Sequence, residues 1–108
     1  PALRGLMVAE GRDVDDCQAI VLVKPQFEVG RQRVGKGGVV RDPLAHRDAI
    51  TAVIEAANPL GWKPAGLVAS PLTGPAGNHE YLLWLSSRDE PQIESSVVEN
   101  VVTATLSD

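Results

Sequence analysis

The sequence predicts an α/β fold in which helices cover a mixed sheet whose last strand is antiparallel. Hydrophobic residues make up 44% of the 108 residues and aromatic residues only 4%. The core must therefore consist mainly of aliphatic side chains, which suits a parallel or mixed sheet buried on both faces by helices. A β-branched apolar run, an amphipathic helical stripe and a second apolar run follow one another, as in a strand–helix–strand unit. A short turn-rich interval then precedes a third apolar run, which favours a reversal over a crossover.

The first predicted elements lie before residue 25. Residues 1–10 place Leu3, Leu6 and Met7 at helical spacing, and we predict the end of a helix there. Residues 19–24 form a continuous apolar run that predicts a central strand. Pro25 ends this strand because proline cannot donate to a sheet ladder.

A long loop over residues 25–41 is predicted to lead into an amphipathic helix. Asp42 can cap the first free N–H groups, and Pro43 is tolerated at the first helical position. Turn-forming residues at 58–61 mark the end of the helix. Its apolar stripe consists of Ile50, Val53, Ile54 and Ala57.

The remaining residues predict two further strands and a final helix. Residues 65–70 and 79–85 are short apolar runs, and residues 71–78 between them are rich in proline and glycine. A right-handed crossover makes the first two strands parallel, so the third runs antiparallel to them. From Glu90 onward, valines recur at helical spacing. Three strands would leave an exposed sheet edge beside the first strand, through which two copies of the chain could pair.

Charge and cysteine content limit the classes of function. The formal net charge is −4, which argues against nucleic-acid binding over the whole surface. Cys17 is the one cysteine and cannot form an internal disulfide, so we expect a reducing, cytoplasmic location. No apolar run approaches the roughly 18 residues of a spanning helix, and no membrane partner is expected. The chain begins with Pro1 rather than Met, which suggests a piece of a longer protein.

The basic residues are concentrated in one loop. Residues 24–41 contain five of the ten Lys and Arg residues and one acid. Such a loop can bind phosphate, or it can be a solvated loop that keeps the protein soluble. Its glycines have the G-x-x-x-x-G-K spacing of a nucleotide-binding loop, from Gly30 to Lys36. However, Gly37 replaces the Ser or Thr that would bind Mg²⁺, and the helix starts only at Asp42, so this interpretation is not favoured.

Topology places a lysine and a glutamate at one edge of the predicted sheet. Lys24 lies at the carboxyl end of the first strand, where ligands gather in open α/β sheets. Glu80 begins the antiparallel third strand, so it faces the same edge, and the apolar run after it favours a partly desolvated carboxylate. Both are catalytic candidates. The alternative is that they are solvated strand-end charges or a structural ion pair.

Other polar and aromatic residues give weaker patterns. His46 and His79 are far apart and lack clustered acids or thiols, so we predict no metal site. Ser70 and Ser86 lack the context of a nucleophile elbow. Trp84 is expected in the core.

The sequence resembles the carboxyl-terminal part of TlyA-type proteins in three segments that occur in the same order. These segments are KPQFEVG, VGKGGVVRDP and SPLTGPAGNHEYLLWL. These proteins bear the name hemolysin and act as ribosomal RNA ribose 2′-O-methyltransferases of the FtsJ-like class. The resemblance implies that residues 1–108 form the carboxyl-terminal half of a Rossmann-like, S-adenosylmethionine-dependent methyltransferase domain. The strands would be the fifth, sixth and seventh of a mixed sheet, with the seventh antiparallel beside the fifth.

The family uses a Lys-Asp-Lys-Glu catalytic tetrad, and the resemblance maps two of its members onto this chain. Lys24, in VLVKPQFE, matches the second lysine, and Glu80, in GNHEYLLWL, matches the glutamate. The first lysine, the aspartate, the glycine-rich loop that binds S-adenosylmethionine and the amino-terminal S4-like RNA-binding domain have no counterpart here. We therefore expect the main cofactor site upstream of this chain, and no activity from the chain alone.

Ribosomal RNA or ribosomal subunits are the partners that the resemblance implies. Lys24 would act as general base or orient the ribose hydroxyl, and Glu80 would hold it. Arg31, Arg33 and Lys36 would contact RNA phosphate. The alternative is a non-catalytic interaction or lytic module, but the final helix is acidic and anionic lipid would repel it.

Overall fold

A computed structural model describes residues 7–9, 17–88 and 91–107. Its strands are β1 (Met7–Ala9), β2 (Gln18–Val23), β3 (Lys63–Ala69) and β4 (Tyr81–Ser86). Its helices are α1 (Pro25–Glu28), α2 (Pro43–Ala57) and α3 (Ser95–Leu106). Short 3₁₀ turns lie at Arg31–Arg33, Lys36–Gly38, Asn58–Leu60 and Pro75–Gly77.

The four strands form one sheet in the order β1-β2-β4-β3. β4 lies between β2 and β3 and pairs antiparallel with both, so β2 and β3 run in the same direction. The predicted directions of the three longer strands are therefore confirmed. The predicted mixed pairing is not seen within the described residues, because β4 separates the two strands that run in parallel.

The local signals in the sequence place most elements well. The three predicted strands begin and end within two residues of β2, β3 and β4. The α2 helix starts where the sequence predicted, since the Asp42 carboxylate accepts a hydrogen bond from Leu44 N at 3.0 Å. It is followed by the 3₁₀ turn Asn58–Leu60, which Gly61 caps with a φ of 88°, in the left-handed region that glycine adopts without steric cost.

The prediction of a helix over residues 1–10 is wrong at Met7–Ala9, which form strand β1. The other residues of that segment lie outside the described part of the chain. β1 pairs antiparallel with Gln18, Ala19 and Ile20 of β2. Backbone pairing on an open strand edge overrides a weak helical spacing, so this edge is partly covered rather than exposed.

The predicted loop over residues 25–41 contains more regular structure than expected. It begins with α1, whose first residue, Pro25, has the fixed φ that a helix requires. Two 3₁₀ turns follow before α2. The loop is therefore a connection made of short helical turns rather than an extended segment.

The hydrophobic core lies between one face of the sheet and helices α2 and α3. Its side chains are Ala19, Val21, Val23, Leu67, Tyr81, Leu83 and Leu85 from the sheet and Ala49, Ile50, Val53, Ala57, Val98 and Val102 from the helices. Trp84 was expected in this core but is 42% exposed, because side chains alternate along β4 and Trp84 belongs to the opposite face. Ile20 and Val68 are exposed on that face too, so the prediction that helices bury both faces is wrong for the described residues. None of the described helices has the length and apolar character needed to cross a bilayer.

Candidate active site

The register of β2 and β4 brings Lys24 and Glu80 to the same edge of the sheet. Val23 is paired with Tyr81, so Lys24, which follows Val23, and Glu80, which precedes Tyr81, both lie just beyond the last pair. The end of β3 reaches this edge too, because Ser70 N–H donates to the Glu80 carbonyl at 2.8 Å. The edge predicted from topology is therefore present.

Glu80 is a buried carboxylate, with only 5% of its surface exposed. Its Oε2 accepts a hydrogen bond from Gln26 Nε2 at 2.9 Å. A buried charge needs such a donor, because a carboxylate removed from water without one is strongly destabilised. The desolvation of this carboxylate that the sequence favoured is confirmed, and Gln26 is the residue that compensates for it.

Gly74 packs directly against this carboxylate. A Cβ placed on Gly74 would overlap Glu80 Oε2, and it would lie 3.4 Å from Gln26 Nε2. The loop around Gly74 is fixed by a hydrogen bond from Gly74 N–H to the Asn78 carbonyl at 2.8 Å. The absence of a side chain at this position is therefore what lets the Glu80–Gln26 pair fit.

Lys24 is partly buried and lies at the start of α1. Its carbonyl accepts hydrogen bonds from Phe27 N at 2.9 Å and Glu28 N at 3.2 Å. Its Nζ lies 5.6 Å from the centroid of the Phe27 ring, a cation–π distance. No ion pair joins Lys24 to Glu80 in the described structure, so the structural pair left open by the sequence is not formed here.

Arg33, one of the three residues predicted to contact RNA, is held by carboxylates on and before α2. Its Nη1 donates to Asp48 Oδ2 at 2.8 Å, and its Nη2 lies 3.7 Å from Asp42 Oδ2. The hydrogen bond to Asp48 raises the pKa of Arg33, and the same bond lowers the pKa of Asp48. Both groups are charged at neutral pH, so Arg33 is attached to α2 rather than free in solvent.

The other two predicted RNA contacts, Arg31 and Lys36, are exposed. Neither forms an ion pair with any residue that the structure describes. The Lys36 carbonyl accepts a hydrogen bond from Arg41 Nη1 at 3.0 Å, which braces the loop across its Gly35 turn. Two basic side chains are therefore presented on a braced loop.

A buried histidine links this loop to the core. His46 Nε2 lies 2.7 Å from the Val40 carbonyl, and its Nδ1 lies 2.8 Å from the Tyr81 hydroxyl. A carbonyl can only accept, so Nε2 carries the proton and Nδ1 accepts from Tyr81. Burial lowers the pKa of His46 and raises the pKa of Tyr81 to about 12, so both are neutral near pH 7. His46 has its hydrogen bonds filled by protein groups, and this fits a structural role.

No cluster of three or more His, Cys, Asp or Glu side chains suited to a metal is found among the described residues. His79 is partly buried beside Glu80 in sequence, and His46 is occupied by protein partners.

Sequence reasoning missed three residues that build the site: Gln26, Gly74 and Asn78. Gln26 and Glu80 are 54 residues apart, and no local pattern indicates their contact. The quoted segments KPQFEVG and SPLTGPAGNHEYLLWL contain all three, so the signal was their position inside these segments rather than any spacing rule.

The chain is also similar to a known family of proteins. The family model of the FtsJ-like methyltransferases matches residues 7–87. The chain is 44% identical over 108 residues to the 16S/23S rRNA (cytidine-2′-O)-methyltransferase TlyA of Mycobacterium tuberculosis, covering 100% of this chain and 38% of that protein. It is 47% identical over 92 residues to YqxC of Bacillus subtilis, named as an rRNA methyltransferase, covering 85% of this chain and 31% of that one.

The fold also has a counterpart among solved structures. A protein of Streptococcus thermophilus named as a hemolysin aligns with a TM-score of 0.74 and 38% identity, over 84% of this chain and 33% of that one. The chain thus spans less than half the length of the relatives it matches. Because the family model covers most of its length and includes Lys24 and Glu80, this chain belongs to the FtsJ-like methyltransferase family, among its TlyA-type members.

Proposed function

We propose that residues 1–108 are the carboxyl-terminal part of a Rossmann-like, S-adenosylmethionine-dependent methyltransferase domain that acts on the ribose 2′-hydroxyl of ribosomal RNA. The observation that carries this proposal is the buried Glu80 carboxylate, held at the same sheet edge as Lys24. Support also comes from the TlyA relative, whose name states methylation of a cytidine 2′-oxygen in 16S and 23S rRNA. We place the substrate, ribosomal RNA or a ribosomal subunit, in the cytoplasm.

The donor set at this edge fits the methyl-acceptor side of such a reaction. When bound, S-adenosylmethionine would supply an electrophilic methyl group, carried on a positively charged sulfur, for transfer to the ribose oxygen. Lys24 Nζ orients the ribose hydroxyl and takes up its proton. Glu80 contributes a fixed negative charge near Lys24, which becomes positively charged when it takes up the proton. We infer that the remaining tetrad members and the main cofactor contacts come from residues outside this chain.

We further propose that the basic loop contacts RNA phosphate. Arg31 and Lys36 carry exposed charges on a loop that Arg41 and Arg33 brace, so little ordering is needed on binding. Arg33 adds positive charge to the loop while its guanidinium stays on Asp48. This arrangement supports phosphate binding, which is independent of RNA sequence, and leaves sequence recognition to other parts of the protein.

The direct test is Lys24→Ala in a full-length protein of the family that carries this chain. Transfer of methyl groups to ribosomal RNA should fall more than about a hundredfold, while S-adenosylmethionine binding measured by calorimetry stays largely intact. Lys63→Ala is the matched control. Lys63 is opposite Ser86 in the register of β3 and β4, so it lies at the other end of these strands from Lys24. Near-normal methylation by Lys24→Ala would overturn the assignment.

A further inference from the structure

The side-chain amide of Gln26 forms a hydrogen bond through its nitrogen but not through its oxygen. Its Nε2 donates to Glu80 Oε2, but its Oε1 is buried without a hydrogen-bond partner in the described structure. Glu80 as a carboxylate can only accept, so the amide must present Nε2 to it and Oε1 must point elsewhere. Folded proteins rarely leave a buried acceptor unmatched, so a donor for Oε1 is expected from a group that can reach it.

The Lys24 ammonium, in turn, has hydrogen-bond donors without an acceptor in the part of the chain that the structure describes. This ammonium can donate three hydrogen bonds, yet no hydrogen bond or ion pair from it is found within the described residues, and the Phe27 ring lies 5.6 Å away. Phe27 is 59% exposed, so the Lys24 ammonium lies beside a ring that faces solvent. Lys24 and Gln26 are separated only by Pro25, which fixes the backbone between them.

We propose that Gln26 is a positioning residue that bridges Lys24 and Glu80. In the reacting arrangement, Lys24 Nζ donates to Gln26 Oε1 while Gln26 Nε2 keeps its hydrogen bond to Glu80. This inference rests on the proposed function of Lys24 as the residue that orients the ribose hydroxyl and accepts its proton. Gly74 confines the pair, since a side chain there would displace the carboxylate and approach Nε2.

The bridge answers a conflict in the chemistry of the site. A carboxylate in direct contact with an amine favours the charged amine, whereas a general base must be neutral to accept a proton. A neutral amide between the two groups fixes the position of the amine and keeps the full charge of the carboxylate one side chain further away. Glu80 therefore acts on Lys24 through Gln26.

The test measures the Lys24 amine itself, in the full-length protein that carries this chain. Its rate of acylation by a small reagent is followed against pH by mass spectrometry, which reads the neutral fraction without any need for activity. Gln26→Glu puts a carboxylate in place of the amide, so half-maximal acylation should move up by about one pH unit. Gln32→Glu is the matched control, because it adds the same charge at an exposed position of the same loop.

A second variant covers the case in which two adjacent carboxylates disturb folding. Gln26→Leu removes the bridge without adding charge, and kcat for methyl transfer should fall about tenfold with KM for RNA unchanged. Equal acylation profiles for Gln26→Glu and Gln32→Glu, or an unchanged kcat in Gln26→Leu, would overturn the bridge. If the unmodified protein transfers no methyl group to RNA, the proposed function fails, and the acylation profile still decides the role of Gln26.

Discussion

The side-chain amide of Asn78 is bonded to the backbone of Val40, with Oδ1 accepting from Val40 N–H at 2.8 Å in a buried position. Its Nδ2 donates to the Gly38 carbonyl, also at 2.8 Å. Asn78 lies two residues before Glu80, so these two bonds fix the end of the basic loop to the segment that leads into β4 and carries the candidate catalytic carboxylate.

Asn78→Ala should therefore lower the free energy of unfolding by about 2–4 kcal/mol, because it removes two hydrogen bonds and leaves their partners unmatched. Denaturant unfolding measures the change. Asn100→Ala, at an exposed position of α3, is the control and should have little effect. An equal and small loss in both variants would mean that the Asn78 bonds do not hold the loop.

Gly74→Ala tests the contact between Gly74 and Glu80. The added Cβ would overlap the carboxylate, which must then move and lose its hydrogen bond to Gln26. We expect a loss of about 1–3 kcal/mol in the free energy of unfolding and, in the full-length protein, a loss of activity on the order of a hundredfold.

Gly30→Ala is the matched control for this substitution. Its Cβ would meet only the end of the flexible Gln32 side chain, at 3.1 Å, and the φ of Gly30 is −68°, which alanine readily adopts. Similar activity of the Gly74 and Gly30 variants would show that the position of the Glu80 carboxylate does not matter for the reaction.

Much of the fold could be predicted because its signals are local. The β-branched run of β2 and the Asp42–Pro43 start of α2 need no distant contact to be recognised. The strand conformation of Met7–Ala9 depends instead on pairing with the edge of β2, and the spacing of apolar residues within the segment could not indicate this pairing. The burial of Trp84 likewise depends on which face of β4 the helices cover.

Part of the candidate site could likewise be predicted from the sequence, and part could not. Lys24 and Glu80 could be placed at one edge from strand directions alone, because antiparallel strands bring opposite ends together. The hydrogen bond from Gln26 to Glu80 and the close approach of Gly74 arise from loops whose paths no sequence rule sets. The engagement of Arg33 by Asp48, fifteen residues away, also follows from the loop path rather than from local sequence.

The three basic residues of the loop should contribute unequally to RNA binding. Arg31→Gln and Lys36→Gln each remove an exposed charge and should each reduce the slope of log Kd against log salt by about 1. Arg33→Gln should change the slope less, because its guanidinium is bonded to Asp48. Fluorescence anisotropy with an rRNA fragment at several salt concentrations measures all three. Three equal slopes would contradict this division, and an unchanged slope in every variant would indicate a solvated loop with no phosphate contact.

The His46 network gives the fold a pH dependence with a defined sign. Burial is the main cause of the lowered pKa of His46, the charge of His79 lowers it further, and the Val40 carbonyl and Asp42 oppose the shift. The unfolded chain has a histidine with the ordinary value of 6.5, so below that pH it binds protons that the folded chain does not. The stabilisation is complete above about pH 6.5 and is lost as the pH falls toward the folded pKa.

Urea unfolding between pH 7.5 and pH 5.5 should therefore show a decrease in the free energy of unfolding that is attributable to His46, limited to about 1.4 kcal/mol by the one pH unit below 6.5. The physical reason is that the charged imidazolium is disfavoured in the buried position of His46. His46→Gln should be less stable at pH 7.5 but should lose this pH dependence, because glutamine does not titrate. His79→Gln is the control and should keep most of it, since His79 acts on His46 only through its charge. A pH dependence that survives in His46→Gln and disappears in His79→Gln would assign the titration to the other histidine.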